Sequence, residues 1–139
     1  MGSQLFHLDK PDRRYTSLFI NLVPVDEECG PFTFFDKPIS DGLRKSLRYE
    51  KRYYLGDGRL TDEEVFGQTS KGKLIRLTGP VGSGAIVDTS ECIHFGSRSI
   101  KAERALMRIT YMSPNKPGSY RFSEFKASPH RDPLVKMVL

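Results

Sequence analysis

The chain has 139 residues, of which 37% are hydrophobic and 28% charged, as is typical of one globular domain. Its net charge of +5 admits anionic partners, including nucleic acid, without requiring them. The sequence holds no apolar run of about 18 residues that could span a bilayer and no basic-then-apolar leader. Its two cysteines, Cys29 and Cys92, are too few for a disulfide scaffold. We therefore expect a cytoplasmic protein without a membrane span.

Short apolar runs separated by Gly, Pro, Asp and Ser follow one another along the chain, which is typical of a β protein. They predict strands at 4–9, 16–23, 30–35, 73–78, 84–88, 91–95 and 104–112. Short strands at this spacing favour a sandwich or barrel over a parallel sheet covered by helices. The sequence thus predicts one mainly-β domain over residues 1–139, with an extended C-terminal tail at 113–139.

A helical insertion is predicted at residues 36–70, between the third and fourth strands. Ser40 is the predicted N-cap of a helix that carries Leu43 and Leu47 on one face. The segment Thr61-Asp62-Glu63-Glu64 has the pattern of a capping box and predicts a second, shorter helix. A long insertion in a tight β chain is often a lid or a binding element. The alternative is a solvated helix that packs on the outside of the barrel.

The insertion also carries much of the positive charge, between residues 37 and 52, with Tyr49, Tyr53 and Tyr54 interleaved or close by. This composition resembles that of a nucleic-acid interface. It equally suits a lid over a phosphorylated, CoA-linked or acidic-sugar substrate. We favour an anionic small molecule as partner over nucleic acid.

The residues with the clearest chemical meaning are His7, Asp9 and His94. Residues i and i+2 of a strand project from the same face, so His7 and Asp9 point together while Leu8 points away. His94, on a short strand near the other end of the chain, would complete a set of two imidazoles and one carboxylate. Such a facial set suits Fe(II) and leaves coordination positions open. These residues are the predicted metal ligands and catalytic residues.

Two arginines follow on the last predicted strand. Arg104 and Arg108 are four residues apart and therefore share a face, while residues 105, 107, 109 and 111 are apolar or aromatic. A guanidinium aimed into a barrel is costly unless it meets an anion, and its planar fork fits a carboxylate. The spacing thus indicates a carboxylate-bearing ligand near the metal. The alternative is that one or both arginines are solvated at a rim.

Together these motifs resemble the non-haem Fe(II), 2-oxoglutarate-dependent oxygenases, and among them the phytanoyl-CoA dioxygenase-like group. The resemblance is carried by QLFHLD at 4–9, LFINLVPVDEECGPF at 18–32, GSGAIVDTSECIHFGS at 82–97 and the arginine strand. The order of H-x-D, distal His and then Arg about ten residues on is the family's pattern. The matching segments span residues 4–112.

The resemblance implies a double-stranded β-helix, also called a jelly roll or cupin-like fold, with Fe(II) held by His7, Asp9 and His94. Arg104 would pair with the distal carboxylate of 2-oxoglutarate, and Arg108 and Thr110 would be second contacts for this cosubstrate. The implied reaction consumes O2 and 2-oxoglutarate and hydroxylates a C–H bond of a small metabolite, lipid or saccharide.

The sequence departs from the family pattern at two places. The H-x-D motif stands almost at the start, so by comparison with the family we expect this sequence to lack the N-terminal helices and first strand. Without the first strand, one edge of the inner sheet would be unpaired. A truncated chain would explain this edge, and a homodimer or pairing with the tail would cover it. The family's P-G-S-H segment after the third strand is replaced by Phe35-Asp36-Lys37-Pro38. A non-catalytic cupin-like binding module is therefore the alternative function, followed by a basic nucleic-acid-binding barrel.

Overall fold

The computed structural model describes residues 4–9, 15–56, 58–96, 98–100 and 104–112. The tail predicted at 113–139 lies outside these residues. The strands are β1 (Tyr15–Asn21), β2 (Thr33–Phe34), β3 (Ile75–Arg76), β4 (Gly84–Asp88), β5 (His94–Phe95) and β6 (Leu106–Met112). The α-helices are α1 (Lys37–Ser46), α2 (Tyr49–Tyr54) and α3 (Asp62–Phe66), and short 3-10 turns lie at Glu27–Cys29 and Lys71–Lys73. Among the described residues, no helix is long and apolar enough to cross a membrane.

Two small antiparallel sheets form the fold, in the strand orders β4-β1-β6 and β3-β2-β5. The mainly-β prediction is therefore confirmed. Phe19 of β1 stacks on Phe32, which precedes β2, with ring centroids 3.9 Å apart. These two rings, with Leu77 and Val87, form the apolar cluster that joins the sheets.

The sheet β4-β1-β6 has unlike faces. Ser17, Phe19 and Asn21 of β1 are buried on its inner face. Arg108 and Thr110 lie opposite Phe19 and Ser17 in the antiparallel register, so they share this inner face. The outer face carries exposed apolar side chains of β4 and β6, which are Ile86, Met107, Ile109 and Tyr111. The inner face is therefore polar where it approaches the segment that contains His7 and Asp9.

The short helices α1, α2 and α3 lie between β2 and β3, and α1 begins earlier than the sequence predicts. Asp36 caps α1 by accepting a hydrogen bond from the Ile39 N–H at 3.0 Å, and Pro38 suits the first turn. The prediction of Ser40 as N-cap is therefore wrong. A positive φ of 49° at Arg48 separates α1 from α2. The predicted capping box is confirmed, with Thr61 as the N-cap of α3.

Residues 4–9 do not form the predicted strand. They pair through single bridges, Phe6 with Leu60 of the insertion and His7 with His94 of β5. Phe6 and Leu8 are buried in the larger apolar cluster. Residues of the insertion and residues in or next to β2 and β5 complete it: Phe35, Leu43, Tyr49, Leu60, Val65, Ile93 and Phe95. The insertion thus packs against the segment that carries His7 and Asp9.

Candidate metal centre

His7 and His94 lie directly opposite each other on neighbouring segments. The His7 N–H donates to the His94 carbonyl at 2.9 Å, and the His94 N–H donates to the His7 carbonyl at 3.0 Å. The ring centroids are 4.4 Å apart, and both residues are buried. This reciprocal backbone pairing brings two imidazoles that are distant in sequence to one point.

Both imidazoles are oriented by a carbonyl two residues earlier in the chain. The Nδ1 of His7 lies 2.8 Å from the Leu5 oxygen, and the Nδ1 of His94 lies 2.9 Å from the Cys92 oxygen. A carbonyl can only accept, so each Nδ1 carries the proton and each Nε2 keeps its lone pair. Metal-binding histidines are commonly fixed in this way.

Asp9 completes the group between the two imidazoles. Its Oδ1 lies 3.8 Å from His7 Nε2, and its Oδ2 lies 3.7 Å from His94 Nε2. One ligand atom from each residue lies within 4.8 Å of the others. First-row ions bind such nitrogen and oxygen donors at about 2.0–2.2 Å, so the two distances from Asp9 to the imidazoles lie within the span of one ion, and the widest separation of the set would shorten slightly around it. The donor set and its spacing fit a metal ion.

The electrostatic environment keeps these ligands in their metal-binding protonation states. Burial, together with His7, lowers the pKa of His94 to about 4, and burial also lowers the pKa of His7. Burial raises the pKa of Asp9, but His94 and the hydrogen-bonded Arg108 outweigh it and hold that pKa below its usual value. Two neutral imidazoles and an ionised carboxylate therefore prevail near neutral pH.

Arg108 contacts one of the candidate metal ligands, Asp9. Its Nη2 donates to Asp9 Oδ2 at 2.5 Å, and its Nε donates to Ser17 Oγ at 3.0 Å. Thr110, the other expected second contact for the cosubstrate, lies with its Oγ1 3.2 Å from the same Ser17 hydroxyl. Arg108 and Thr110 thus belong to a polar cluster that is joined through Ser17 and contacts Asp9.

Arg104 lies two residues before β6 and is half-buried, and burial lowers the pKa of its guanidinium. A Cβ placed on Gly96 would lie 3.0 Å from Arg104 Nη2, so this side chain packs against the backbone just after β5. The structure therefore brings Arg104 to the strand that carries His94.

Two buried hydroxyl groups that the sequence analysis did not assign to the site hold the backbone beside the ligands. Tyr49 Oη accepts a hydrogen bond from the N–H of Leu8, between His7 and Asp9, at 3.0 Å. Ser40 Oγ accepts from the N–H of Ile93, the residue before His94, at 2.9 Å. No local sequence pattern predicts these contacts, because the two residues of each hydrogen bond lie 41 and 53 positions apart in the chain.

Arg98 is the other residue that sequence analysis missed. It forms a two-pronged ion pair with Asp62 of α3, at 2.9 and 2.8 Å. Its Nε donates to the Gln4 carbonyl at 2.7 Å, and its guanidinium lies 3.7 Å from the centre of the Phe95 ring. Arg98 thus connects the segment before His7, the insertion and the residue after His94.

Comparison of this chain with protein-family models, with curated proteins and with solved structures finds no match. The geometry of the site therefore carries the functional argument.

Proposed function

We propose that this chain is the catalytic core of an Fe(II)- and 2-oxoglutarate-dependent dioxygenase that hydroxylates a small metabolite, lipid or saccharide. The observation that carries the proposal is the convergence of His7, Asp9 and His94 within 4.8 Å. Two neutral imidazoles and one carboxylate form the donor set typical of non-haem Fe(II) oxygenases. The two facing antiparallel sheets support a double-stranded β-helix as the fold around this site.

The chemistry of the bound iron would be activation of dioxygen at coordination positions that the three protein ligands leave open. In the overall balance, O2, 2-oxoglutarate and R–H give R–OH, succinate and CO2. One oxygen atom enters the product and the other enters succinate. The protein's own task is to bind, orient and desolvate the reactants.

Arg104 is the proposed binding partner for the distal carboxylate of 2-oxoglutarate. It packs beside Gly96, two residues after His94, which is the right neighbourhood for a cosubstrate that reaches the metal. A half-buried guanidinium favours an anion, and its planar fork can donate two parallel hydrogen bonds to a carboxylate.

Aromatic rings cover one side of the candidate centre. The Phe32 ring lies 5.5 Å from the His94 ring and stacks on Phe19. These apolar groups exclude water from this side of His94, so a reactive species would meet few competing solvent molecules there. The burial of His94 is also the main cause of its low pKa.

An anionic group on the substrate is supported by the charge at the site's edge. Arg59 is exposed, and its positive charge contributes to lowering the pKa of His7 after the larger effect of burial. Arg59 is therefore close enough to act on a ligand beside His7. With a net charge of +5 on the whole chain, we propose a substrate with a phosphate or carboxylate group.

The test is an anaerobic titration of Fe(II) into the protein with 2-oxoglutarate, followed through the visible charge-transfer absorption of the chelate. The wild type should develop the band. His94→Ala should lose it through loss of a ligand, and Arg104→Ala should weaken it at limiting 2-oxoglutarate. Arg76→Ala, a control at an arginine that pairs with Glu27, should leave it unchanged. A folded wild type without the band would refute the proposal.

Admission of O2 then separates catalysis from simple binding. An oxygenase should convert 2-oxoglutarate to succinate even in the absence of its substrate, at a low uncoupled rate that His94→Ala abolishes. Chelate formation without any succinate would indicate a non-catalytic metal-binding module instead.

A further inference from the structure

We infer that Arg108 is a positioning residue for Asp9 and does not bind the cosubstrate. The inference rests on the proposed metal site and assigns different tasks to Arg104 and Arg108. It reverses the expectation, drawn from the sequence resemblance, that Arg108 contacts 2-oxoglutarate.

The guanidinium of Arg108 is fixed through two different donors. Nη2 donates to Asp9 Oδ2 at 2.5 Å, and Nε donates to the Ser17 hydroxyl at 3.0 Å. Ser17 is fully buried, and its hydroxyl lies 3.2 Å from Thr110 Oγ1. Two donors that point at partners on different elements define the plane of the guanidinium, which a single ion pair would not do.

Rings and a second hydroxyl hold the same group. The guanidinium carbon of Arg108 lies 5.3 Å from the ring centres of both Tyr15 and Phe19. Nη2 lies 3.4 Å from Thr89 Oγ1, and the Thr89 carbonyl accepts the Asp9 N–H at 2.8 Å. The backbone and the carboxylate of Asp9 are thus tied to the same cluster.

The consequence is a division between the two carboxylate oxygens of Asp9. Oδ2 is held by Arg108 and also lies 3.7 Å from His94 Nε2, whereas Oδ1 lies 3.8 Å from His7 Nε2. The Arg108 hydrogen bond engages Oδ2, so Oδ1 is the oxygen that Asp9 would offer to a metal. Carboxylates that bind metals typically have their other oxygen hydrogen-bonded to the protein, and this contact fixes the ligand's direction. Arg104, beside Gly96, is then left as the arginine for the cosubstrate.

The test measures Mn(II) binding to the full chain without 2-oxoglutarate, by calorimetry and by the electron paramagnetic resonance spectrum of the bound ion. Arg108→Lys keeps the charge near the ion but replaces the planar fork by a single ammonium group. We expect the Kd for Mn(II) to rise about tenfold, as for other changes to groups that orient ligands, and the spectrum to change. Ser17→Ala, which removes the acceptor for Nε, should shift both readouts in the same direction.

Arg76→Lys is the matched control. The side chains of Arg76 and Arg108 are both 36% exposed, and Arg76 also pairs with a single carboxylate, that of Glu27 at 3.0 Å. This variant should leave the Mn(II) affinity and spectrum unchanged. Arg104→Lys should raise the Kd for 2-oxoglutarate at saturating Mn(II), which Arg108→Lys should not do.

The outcomes separate the two proposals. A wild type that binds no Mn(II) would refute the metal site, and the inference with it. A wild type that binds Mn(II), with a folded Arg108→Lys of unchanged Kd and spectrum, would refute the inference alone. The same holds if Arg108→Lys loses affinity for 2-oxoglutarate instead. Should Arg108→Lys fail to fold, Ser17→Ala decides the question by the same readouts.

Discussion

The hydroxyl of Tyr49 joins the helical insertion to the chain between two candidate metal ligands. It accepts a hydrogen bond from the Leu8 N–H at 3.0 Å and donates one to the Gly58 carbonyl at 2.8 Å. The Tyr49 side chain is fully buried. Residues 4–9 have no continuous strand partner, so this contact supplies what a sheet ladder would otherwise provide. The insertion therefore supports the segment that carries two of the candidate metal ligands, and its function as a lid stays a prediction.

Tyr49→Phe should test this support. The change removes both hydrogen bonds of the hydroxyl and leaves a buried N–H and a carbonyl to find other partners, at a cost of about 1–3 kcal/mol in the free energy of unfolding. Urea denaturation measures this loss. Tyr54→Phe, at a tyrosine that is 84% exposed, should change the stability by less than about 0.5 kcal/mol. Equal stabilities for the two variants would contradict the structural role of Tyr49.

Ser40→Ala should weaken the other side of the centre. Ser40 Oγ accepts the Ile93 N–H at 2.9 Å and donates to the Phe35 carbonyl at 3.3 Å, so its loss leaves a buried N–H next to His94 without this acceptor. We expect a destabilisation of about 1–3 kcal/mol and weaker Mn(II) binding. Ser46→Ala, in the same helix but exposed, is the control and should show neither effect. If Ser40→Ala is destabilised but binds Mn(II) as the wild type does, Ser40 stabilises the fold without positioning His94.

The sequence was sufficient for the parts of the site that depend on local geometry. The two-residue spacing of His7 and Asp9 placed both on one side of the chain, and the two-residue alternation of β6 placed Arg108 on the inner face. It was not sufficient for contacts that depend on how distant segments pack. Arg108 reaches Asp9 across 99 residues, and only the register of β6 against β1 reveals which carboxylate the guanidinium meets.

The elements show the same division. The capping box at Thr61 and the bounds of β4 follow from local chemistry, and both predictions are confirmed. Residues 4–9 have the alternation of a strand, but their neighbours offer only single bridges. Ser40 is a good N-cap by residue type, yet Asp36 followed by Lys37 and Pro38 makes a better one four residues earlier. The buried Ser40 hydroxyl instead accepts the hydrogen bond from the Ile93 N–H.

Arg98 and Asp62 should act as one unit that fixes both histidine-bearing segments. Arg98→Lys loses the two-pronged ion pair and the stacking on Phe95, and Asp62→Asn loses the charge of the pair. A double-mutant cycle in urea should give a coupling of about 0.5–1 kcal/mol, as for partly exposed pairs. Each single variant should weaken Mn(II) binding several-fold.

The cycle at Arg76 and Glu27, a more exposed pair, serves as comparison for Arg98 and Asp62. The variants at Arg76 and Glu27 should bind Mn(II) with the wild-type affinity, whatever the coupling energy between the two residues. If the Arg98 variants bind Mn(II) as the wild type does, the clamp stabilises the fold without orienting the ligands.

The metal-free protein should lose stability as the pH falls from about 6.5 towards 4, because of His94. In the unfolded chain a histidine has a pKa of about 6.5, whereas burial lowers the pKa of His94 to about 4 in the folded protein. Between these values the unfolded chain binds a proton that the folded chain does not, so acid favours unfolding, by about 1.4 kcal/mol for each pKa unit.

Urea denaturation in the presence of a chelator measures how the free energy of unfolding changes with pH. His94→Gln should flatten this slope, and His7→Gln should do so in the same direction, because burial lowers that pKa as well. Parallel slopes for wild type and His94→Gln would show that His94 is not held neutral, and would remove the electrostatic basis for a preformed imidazole ligand.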